Sequence, residues 1–235
     1  MKVLTVLLTL GSVLLAQAPA PPKSEQKNAG APSAASRLMN PAALNAKAPD
    51  LYRARFATTH GDFVVEVHRD WAPLGADRFY NLVRNRFFTD AAFFRFVPNF
   101  IVQFGIPADP KIAAVWQNAN IKDDPVKQSN KKGTLTFATA GPGTRTTQLF
   151  INLNDNAGLD GQGFAAFGTV IEGMDVVAGI YSGYGEAPDQ GRIQSQGKAY
   201  LDKNFPKLDT IKSATIISPE ASGAPAKKAP EAPKK

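Results

Sequence analysis

The chain contains no cysteine, and only two of its 235 residues are histidine. The lack of cysteine excludes disulfide bonds, thiol nucleophiles, thiolate metal sites and a lipid anchor on an N-terminal cysteine. The two histidines, His60 and His68, are too few to predict a histidine-based metal cluster. Any chemistry must therefore depend on other side chains.

A strong charge of one sign is also missing from the body of the chain. The whole chain carries a net charge of +7, but residues 51–218 contain 18 Lys and Arg against 16 Asp and Glu. Most of the positive excess therefore lies in the two flanks. A nearly neutral body lacks the basic surface that nucleic-acid binding requires, so we expect no nucleic-acid partner.

Long hydrophobic runs are absent except at the N-terminus. A charged start is followed by an apolar run over residues 3–16, and small residues recur at Ala16, Ala18 and Ala20. This pattern is typical of a secretory signal peptide, which we place at residues 1–18 although the sequence leaves its end open. The run is too short for a stable membrane span. An N-terminal core helix is the weaker alternative, because Pro, Lys and Gln follow at once. We expect an exported protein, periplasmic or extracellular.

The two flanks of the body have the composition of disordered segments. Residues 19–50 are rich in Ala, Pro, Lys, Ser and Asn, and residues 219–235 combine Ala-Pro pairs with four lysines. We predict a disordered linker and a disordered basic tail, which leave one folded domain at residues 51–218. For the tail, solubility and reach are favoured over attraction to an anionic envelope surface.

Short alternating apolar segments predict a mainly β body. Strands are expected at residues 52–58, 63–67, 133–138, 148–153, 164–170 and 210–217, with a hairpin across residues 93–105. Helices are expected after Pro73, after Gly173 and over residues 198–204, whereas residues 106–132 and 183–196 are expected to be irregular connections. Sequential strands with two or three helices favour a closed antiparallel barrel or a sandwich, and residue counting leaves both open.

The most aromatic stretch is the hairpin at residues 93–105, which contains a central Pro-Asn turn. Alternation puts Phe94 and Phe96 on its core face, and Phe93 and Arg95 on the other face. An arginine among apolar side chains either stacks on them or donates hydrogen bonds to a ligand. The pattern taken alone favours stacking.

Other side chains share the outward face of Arg95. Ile101 and Gln103 lie on one face of the second strand of the hairpin. In the strand at residues 148–153, three aliphatic residues point inward and Phe150 points outward. A phenylalanine on a polar strand face is unexpected if the strand serves only the core.

Residues 94–105, FRFVPNFIVQFG, are the first of three blocks of sequence that match one family pattern. They resemble the cyclophilin pattern F-H-R-(I/V)-(I/V)-P-G-F-x-x-Q-G-G. Residues 133–142 and 147–151 are similar to the patterns G-x-L-(S/A)-M-A-N-x-G-P and S-Q-F-F-I. The third block comprises LDG at 159–161, FGTV at 167–170 and EGM at 172–174. The blocks follow the family order across residues 51–218, and the cysteine-free form resembles the bacterial exported branch.

The resemblance implies a closed eight-stranded antiparallel β-barrel capped by two α-helices. It also implies peptidyl-prolyl cis–trans isomerase activity. This reaction changes no covalent bond, so it needs no nucleophile, metal or other cofactor. The implied partners are proline-containing segments of exported proteins, and we expect a monomer.

The resemblance further assigns the site residues. Arg95 would donate hydrogen bonds to the prolyl group, with Phe100 beside it, and Gln103 would position both the guanidinium and the substrate carbonyl. Thr139 would offer backbone groups to an extended peptide. Phe100 would also line the proline pocket, and the other residues implied for the pocket and the peptide groove are Ile101, Ala138, Thr139, Gln148, Phe150, Leu159 and Phe164.

Several positions depart from the family pattern. Gly158 stands where the family commonly has a tryptophan, which argues against high affinity for cyclosporin. Phe164 replaces a histidine at the pocket edge, and Thr139 replaces an asparagine. Arg145 stands where a small or amide residue is common, from which we expect a preference for peptides with an acidic residue N-terminal to proline.

Two other functions stay open at the level of sequence. The chain could be a non-catalytic proline-binding chaperone or scaffold, because residues 107–116 replace a Gly-rich family loop. An exported carbohydrate-binding sandwich would need exposed aromatic platforms, and the two tryptophans do not form a pair in sequence. The presence of Arg95, Phe100, Gln103 and Phe150 favours the isomerase.

Overall fold

The computed structural model describes residues 34–217. The predicted signal peptide, residues 19–33 of the predicted linker and the predicted tail at residues 219–235 lie outside the described residues. Among residues 34–217, no helix is long and apolar enough to cross a membrane.

Eight antiparallel strands form one sheet, and a strand is present at each position where alternation predicted one. The strands are β1 (Leu51–Thr58), β2 (Asp62–His68), β3 (Arg95–Val97), β4 (Ile101–Phe104), β5 (Thr134–Phe137), β6 (Leu149–Asn152), β7 (Ala166–Glu172) and β8 (Ile211–Ile217). Their order in the sheet is β3-β4-β6-β5-β7-β2-β1-β8.

The sheet is curled but open between its two end strands, β3 and β8. The segments that precede these strands meet at a single bridge between Ala92 and Thr210. There the N–H of Phe93 donates to the carbonyl of Asp209 at 3.0 Å. The predicted closed barrel is therefore not confirmed, and the architecture is an open half-barrel. Because this bridge is antiparallel, the three-residue strand β3 runs from it in the direction away from β8, so the two end strands do not pair.

Helices are more numerous than predicted, with six α-helices among the described residues instead of two or three. They are α1 (Ala34–Leu38), α2 (Pro73–Arg84), α3 (Pro110–Trp116), α4 (Met174–Gly179), α5 (Gln190–Gln196) and α6 (Lys198–Asn204). Two of them, α3 and α5, lie in segments expected to be irregular. Each follows an aspartate cap: Asp109 accepts from the N–H of Lys111 at 2.8 Å, and Asp189 accepts from the N–H of Arg192 at 2.7 Å. Aspartate at this position is a known signal for a helix start.

Aromatic rings fill the interior between the inner face of the sheet and α2. The Phe56 ring stacks on Phe63 at 4.9 Å between centroids, and it also contacts Phe79, Phe88 and Phe104. All five rings are buried. Such rings contribute large apolar areas and specific edge-to-face contacts, so the inner face of the sheet is committed to the core.

The aromatic run before β3 does not alternate as predicted. Phe93 belongs to the main core, with its ring 5.2 Å from that of Phe104, whereas Phe94 lies in a second cluster with side chains of α5 and α6. The prediction that paired Phe94 with Phe96, and put Phe93 on the face of Arg95, is wrong. The strand begins only at Arg95, so its period of two does not extend back to Phe93.

Residues 34–50 pack on the body, in contrast to the disordered linker expected there. Leu38 is buried, and its carbonyl accepts a hydrogen bond from Nε1 of the buried Trp116 at 2.7 Å. The N–H of Ala48 donates to the carboxylate of Asp77 at 2.8 Å. Composition alone does not reveal such partners, because they are supplied by distant parts of the chain.

Candidate active site

One cross-strand row of side chains lies on the outer face of the sheet. Arg95 in β3 is directly opposite Gln103 in β4, which is opposite Phe150 in β6, and Phe150 is opposite Thr136 in β5. Residues opposite each other in a sheet point to the same face. The neighbouring row, which includes Val102, points into the core. Arg95, Gln103 and Phe150 are therefore brought together on the outward face that alternation predicted.

A relay of hydrogen bonds connects the polar members of this site. Arg95 Nη1 donates to Gln103 Oε1 at 3.1 Å, and Gln103 Nε2 donates to Gln148 Oε1 at 2.8 Å. Gln103 is only 6% exposed, so both ends of its amide are held by these contacts. Among the described residues, none hydrogen-bonds to Nη2 of Arg95, which leaves this donor for a ligand.

A cavity of about 160 Å³ lies beside the Arg95 guanidinium. Apart from Arg95, Gln103 and Thr139, the side chains that line it are apolar. Nine of the ten predicted site residues line this cavity: Arg95, Phe100, Ile101, Gln103, Ala138, Thr139, Phe150, Leu159 and Phe164. The tenth, Gln148, lies behind Gln103 and borders a neighbouring cavity.

The apolar wall of the cavity is built from distant segments. The rings of Phe150 and Phe164 meet edge to face, with centroids 5.7 Å apart. Leu159 belongs to the 3-10 segment Ala157–Gln162. Phe164, which replaces a family histidine, therefore serves as an apolar wall, and a small apolar ring could be enclosed by these groups.

The backbone of Thr139 is unpaired at the rim of the cavity. The last main-chain bond of this part of the sheet runs from the N–H of Ala138 to the carbonyl of Gln148 at 2.9 Å. No residue in the described part of the chain hydrogen-bonds to the N–H or C=O of Thr139. Unpaired backbone groups at a sheet edge can pair with an extended peptide.

A second, more polar cavity of about 430 Å³ shares Gln103, Ala138 and Thr139 with the first. Carboxamide side chains dominate its remaining wall, including Gln190 and Gln194 from α5. Neither cavity holds a metal-binding cluster, since residues 34–217 contain no suitable group of three His, Asp or Glu side chains.

A buried network centred on Asn130 supports the cavity from behind. Asn130 Nδ2 donates to the carbonyl of Phe164 and to the carboxylate of Asp160, both at 2.8 Å. Asn130 Oδ1 accepts from Thr136 Oγ1 at 2.8 Å and from Asn152 Nδ2 at 3.2 Å. Asn130 is fully buried, so the loss of any partner would leave a buried polar atom without a hydrogen bond. The network thereby fixes Phe164 to the sheet. Sequence reasoning missed it, because no motif marks an isolated asparagine in a long connection.

Asn156 extends the network to two other walls of the cavity. Its Nδ2 donates to the carbonyl of Phe100 at 2.9 Å and to Asn152 Oδ1 at 2.7 Å. Its own carbonyl accepts from the N–H of Leu159 at 2.9 Å. Phe100 and Leu159 are thus both held by the half-buried Asn156, which is linked through Asn152 to the Asn130 that holds Phe164.

Asp160 is the charged member of this network. Burial opposes ionisation of its carboxyl group, but hydrogen bonds from Ser129 and Asn130 outweigh that effect and lower the pKa of Asp160 below its usual value. The N–H of Asn130 donates at 2.9 Å, in addition to its side chain. The carboxylate form is therefore the one that the folded structure favours.

Arg145 does not face the candidate site, so it cannot supply the preference for acidic peptides that was expected from it. Its side chain is 3% exposed and pairs with Asp124 at 3.1 Å and with Asp123 at 3.2 Å. Its guanidinium also lies over the Phe137 ring. A buried guanidinium neutralised by two carboxylates has no charge left to select an acidic substrate.

The chain matches a known protein family. The family model for cyclophilin type peptidyl-prolyl cis-trans isomerase matches residues 53–198. The chain belongs to the cyclophilin-type peptidyl-prolyl cis-trans isomerases. The prediction that it is an enzyme of this family is confirmed, because its relatives carry the names of prolyl isomerases.

Two bacterial relatives of this cyclophilin illustrate the similarity. A peptidyl-prolyl cis-trans isomerase of Acinetobacter baylyi is 38% identical over 126 residues, which cover 51% of this chain and 66% of the relative. Peptidyl-prolyl cis-trans isomerase B of Escherichia coli K12 is 30% identical over 172 residues, which cover 69% of this chain and 98% of the relative.

Solved structures show the same fold. The crystal structure of a cyclophilin type peptidyl-prolyl cis-trans isomerase of Cryptosporidium parvum matches with a TM-score of 0.54 and 20% identity. The match covers 72% of this chain and 98% of that structure. The mainly β cyclophilin fold is therefore confirmed for this chain.

The substitution Asp160→Asn should lower the free energy of unfolding at pH 7 by about 1–3 kcal/mol, because it weakens charge-assisted hydrogen bonds from Ser129 and Asn130. Since folding lowers the Asp160 pKa, its contribution is fully present above the unfolded carboxyl pKa of about 3.9. The contribution is lost as the pH falls from there through the folded value. Urea denaturation of both proteins at a series of pH values should show their stability difference shrinking in acid.

Asp155→Asn is a matched control, since Asp155 accepts an exposed hydrogen bond from the N–H of Lys132 at 2.9 Å. This change should cost less than about 0.5 kcal/mol. Equal costs for the two substitutions, or a pH-independent cost for Asp160→Asn, would contradict the assigned role of the network.

Gly158→Trp should tighten cyclosporin binding by about tenfold or more, because an aromatic ring would extend the apolar wall next to Leu159. No heavy atom lies within 4 Å of a Cβ added at Gly158, so the ring can be accommodated. Isothermal titration calorimetry measures the dissociation constant. Gly161→Trp is the control, because Gly161 is equally open but, unlike Gly158, is not the direct chain neighbour of Leu159; the same affinity in all three proteins would refute the prediction.

Proposed function

We propose that this chain accelerates cis–trans rotation of X-Pro bonds in exported proteins, with Arg95 as the catalytic hydrogen-bond donor. The observation that carries this proposal is the guanidinium of Arg95, which is held by Gln103 at the edge of an otherwise apolar cavity. An exposed arginine that only stacks on a surface would not need a buried amide to orient it.

The energetic requirement is to lower a rotational barrier of about 18–20 kcal/mol, which arises from amide resonance. During rotation the prolyl nitrogen loses conjugation and becomes a better hydrogen-bond acceptor. A donor placed at this nitrogen therefore stabilises the transition state more than the planar ground state. In this proposal, Arg95 Nη2 supplies that donor.

The apolar walls hold the proline ring while the bond before it rotates. Phe100, Ile101, Phe150, Leu159 and Phe164 exclude water from the ring and fix its position. Exclusion of water also strengthens the hydrogen bond from the guanidinium. With the ring held, the peptide segment N-terminal to the proline rotates about the X-Pro bond.

The polar rim binds the peptide main chain on the N-terminal side of the proline. The unpaired N–H and C=O of Thr139, next to Ala138, would pair with the extended peptide as an additional strand. Gln103 would contact the substrate carbonyl, and Gln148 keeps Gln103 in place through its hydrogen bond. No covalent bond changes, so these contacts are sufficient for the reaction.

We also propose that the chain belongs to a bacterial exported branch and acts in the periplasm or outside the cell, with residues 51–218 as its isomerase domain. Residues 1–18 support export through their charged start, apolar run and small residues. Uncatalysed X-Pro isomerisation takes tens of seconds or more, so catalysis would speed the folding of newly exported proteins.

Arg95→Ala should reduce kcat/KM for a short X-Pro peptide by about 100-fold or more, the effect typical of removing one preorganised donor. A protease-coupled isomerisation assay measures the rate. Arg53→Ala is a matched control, because Arg53 is similarly exposed and pairs with Glu66 at 2.8 Å on another strand; it should retain the full rate. Equal and negligible rates in the natural protein and Arg95→Ala would favour a non-catalytic proline-binding module instead.

Expression of the full chain in a bacterial host should yield a mature protein outside the cytoplasm, with its N-terminus shortly after Ala16, Ala18 or Ala20. Cell fractionation and mass spectrometry of the intact protein measure this. Deletion of residues 3–16 should leave the protein in the cytoplasm. A full-length protein that begins at Met1 and stays in the cytoplasm would refute the export proposal.

A further inference from the structure

A loop far along the chain contacts the strand that carries Arg95. This loop connects α4 to α5, and its Gly185 carbonyl accepts a hydrogen bond from the N–H of Phe96 at 3.0 Å. The loop thereby extends the end of the sheet beyond β3. The next residue, Glu186, reaches Arg95: its Oε1 accepts from Arg95 Nε at 2.6 Å.

The loop is held in place by contacts that do not depend on this ion pair. The Tyr184 ring meets Tyr181 and Phe205 edge to face, each at 5.1 Å between centroids. The N–H of Gly185 donates to the carbonyl of Ser182 at 2.9 Å. Glu186 is therefore presented to Arg95 by a packed loop, and removal of its carboxylate should leave the loop folded.

The Arg95 guanidinium is fixed from two directions. Nε donates to Glu186 on the loop side, and Nη1 donates to Gln103 on the sheet side. These two bonds fix the plane of the group, and no described residue accepts a hydrogen bond from Nη2. Arginine has several rotatable bonds and a planar fork of donors, so a second anchor reduces the freedom that must be lost when it binds a ligand.

We propose that Glu186 is a positioning residue for the isomerisation, one that holds Arg95 in its catalytic orientation. This inference rests on the proposed function of Arg95. Glu186 does not line the proline cavity, and its side chain is 60% exposed, so it acts through Arg95 and not on the substrate. The negative charge of the Glu186 carboxylate also strengthens the hydrogen bond that it accepts from Arg95 Nε, and so holds the guanidinium at the site.

The test compares Glu186→Ala and Glu186→Gln with the natural protein in the same isomerisation assay. Glu186→Ala should lower kcat by about three- to fivefold with little change in KM, the size expected for a partly exposed ion pair that orients a catalytic group. Glu186→Gln keeps an acceptor for Arg95 Nε but loses the charge. Its kcat should therefore lie between those of the natural protein and Glu186→Ala. High salt should lower the rate of the natural protein towards that of the variants, because it screens the ion pair.

Asp202→Ala is the matched control. Asp202 is also 60% exposed and pairs with a cation at 2.6 Å, but its partner is Lys198. Its removal should leave kcat, KM and the salt dependence unchanged. The double variant Arg95→Ala/Glu186→Ala should be no slower than Arg95→Ala alone, because Glu186 has no role without the guanidinium.

The outcomes separate this inference from the proposed function. If Arg95→Ala is inactive while Glu186→Ala keeps the natural kcat, only the positioning role is refuted. A rise in kcat for Glu186→Ala would also overturn it, since the carboxylate would then restrain Arg95 from the substrate. If Arg95→Ala keeps full activity, the proposed role of Arg95 fails, and the positioning role fails with it.

Discussion

The site depends on one constraint, the register that places Arg95, Gln103 and Phe150 directly opposite one another across β3, β4 and β6. Side chains alternate between the two faces of a strand, so a slip of one residue would turn this row into the core. The inner face is filled by aromatic rings that cannot be replaced by a guanidinium. Packing of the core therefore fixes the outer face as well, and the same strands provide both.

The strands supply only one wall of the cavity, and loops supply the rest. Phe100, Leu159 and Phe164 lie outside the strands and are held by hydrogen bonds to the buried Asn130 and the half-buried Asn156. Hydrogen bonds from a buried polar group are directional and costly to break, so they position a loop more sharply than apolar contact does. On the other side, the loop that carries Glu186 completes the environment of Arg95. A preorganised donor beside a dry pocket is the arrangement that bond rotation requires.

Much of the fold could be read from alternation, because a period of two reports directly which face of a strand is buried. That reasoning located every strand and the outward positions of Arg95, Gln103 and Phe150. It failed where regular structure ends. The ring of Phe93 turns into the core because β3 begins at Arg95, and α3 and α5 form in segments that were expected to be irregular. Closure of the sheet could not be predicted either, since it depends on how far two distant end strands overlap.

The sequence by itself determined the family, the alternation of the strands and the residue types of the pocket, because these are local patterns. Only the tertiary structure decided which distant groups meet them. Arg145 is close in sequence to the site but is buried against Asp123 and Asp124, whereas Glu186, which is 91 residues from Arg95, contacts its guanidinium. The physical reason is that the partners of a charged group or an amide are brought to it by the folding of the whole chain. A local sequence pattern contains no information about which distant residues will be close in space.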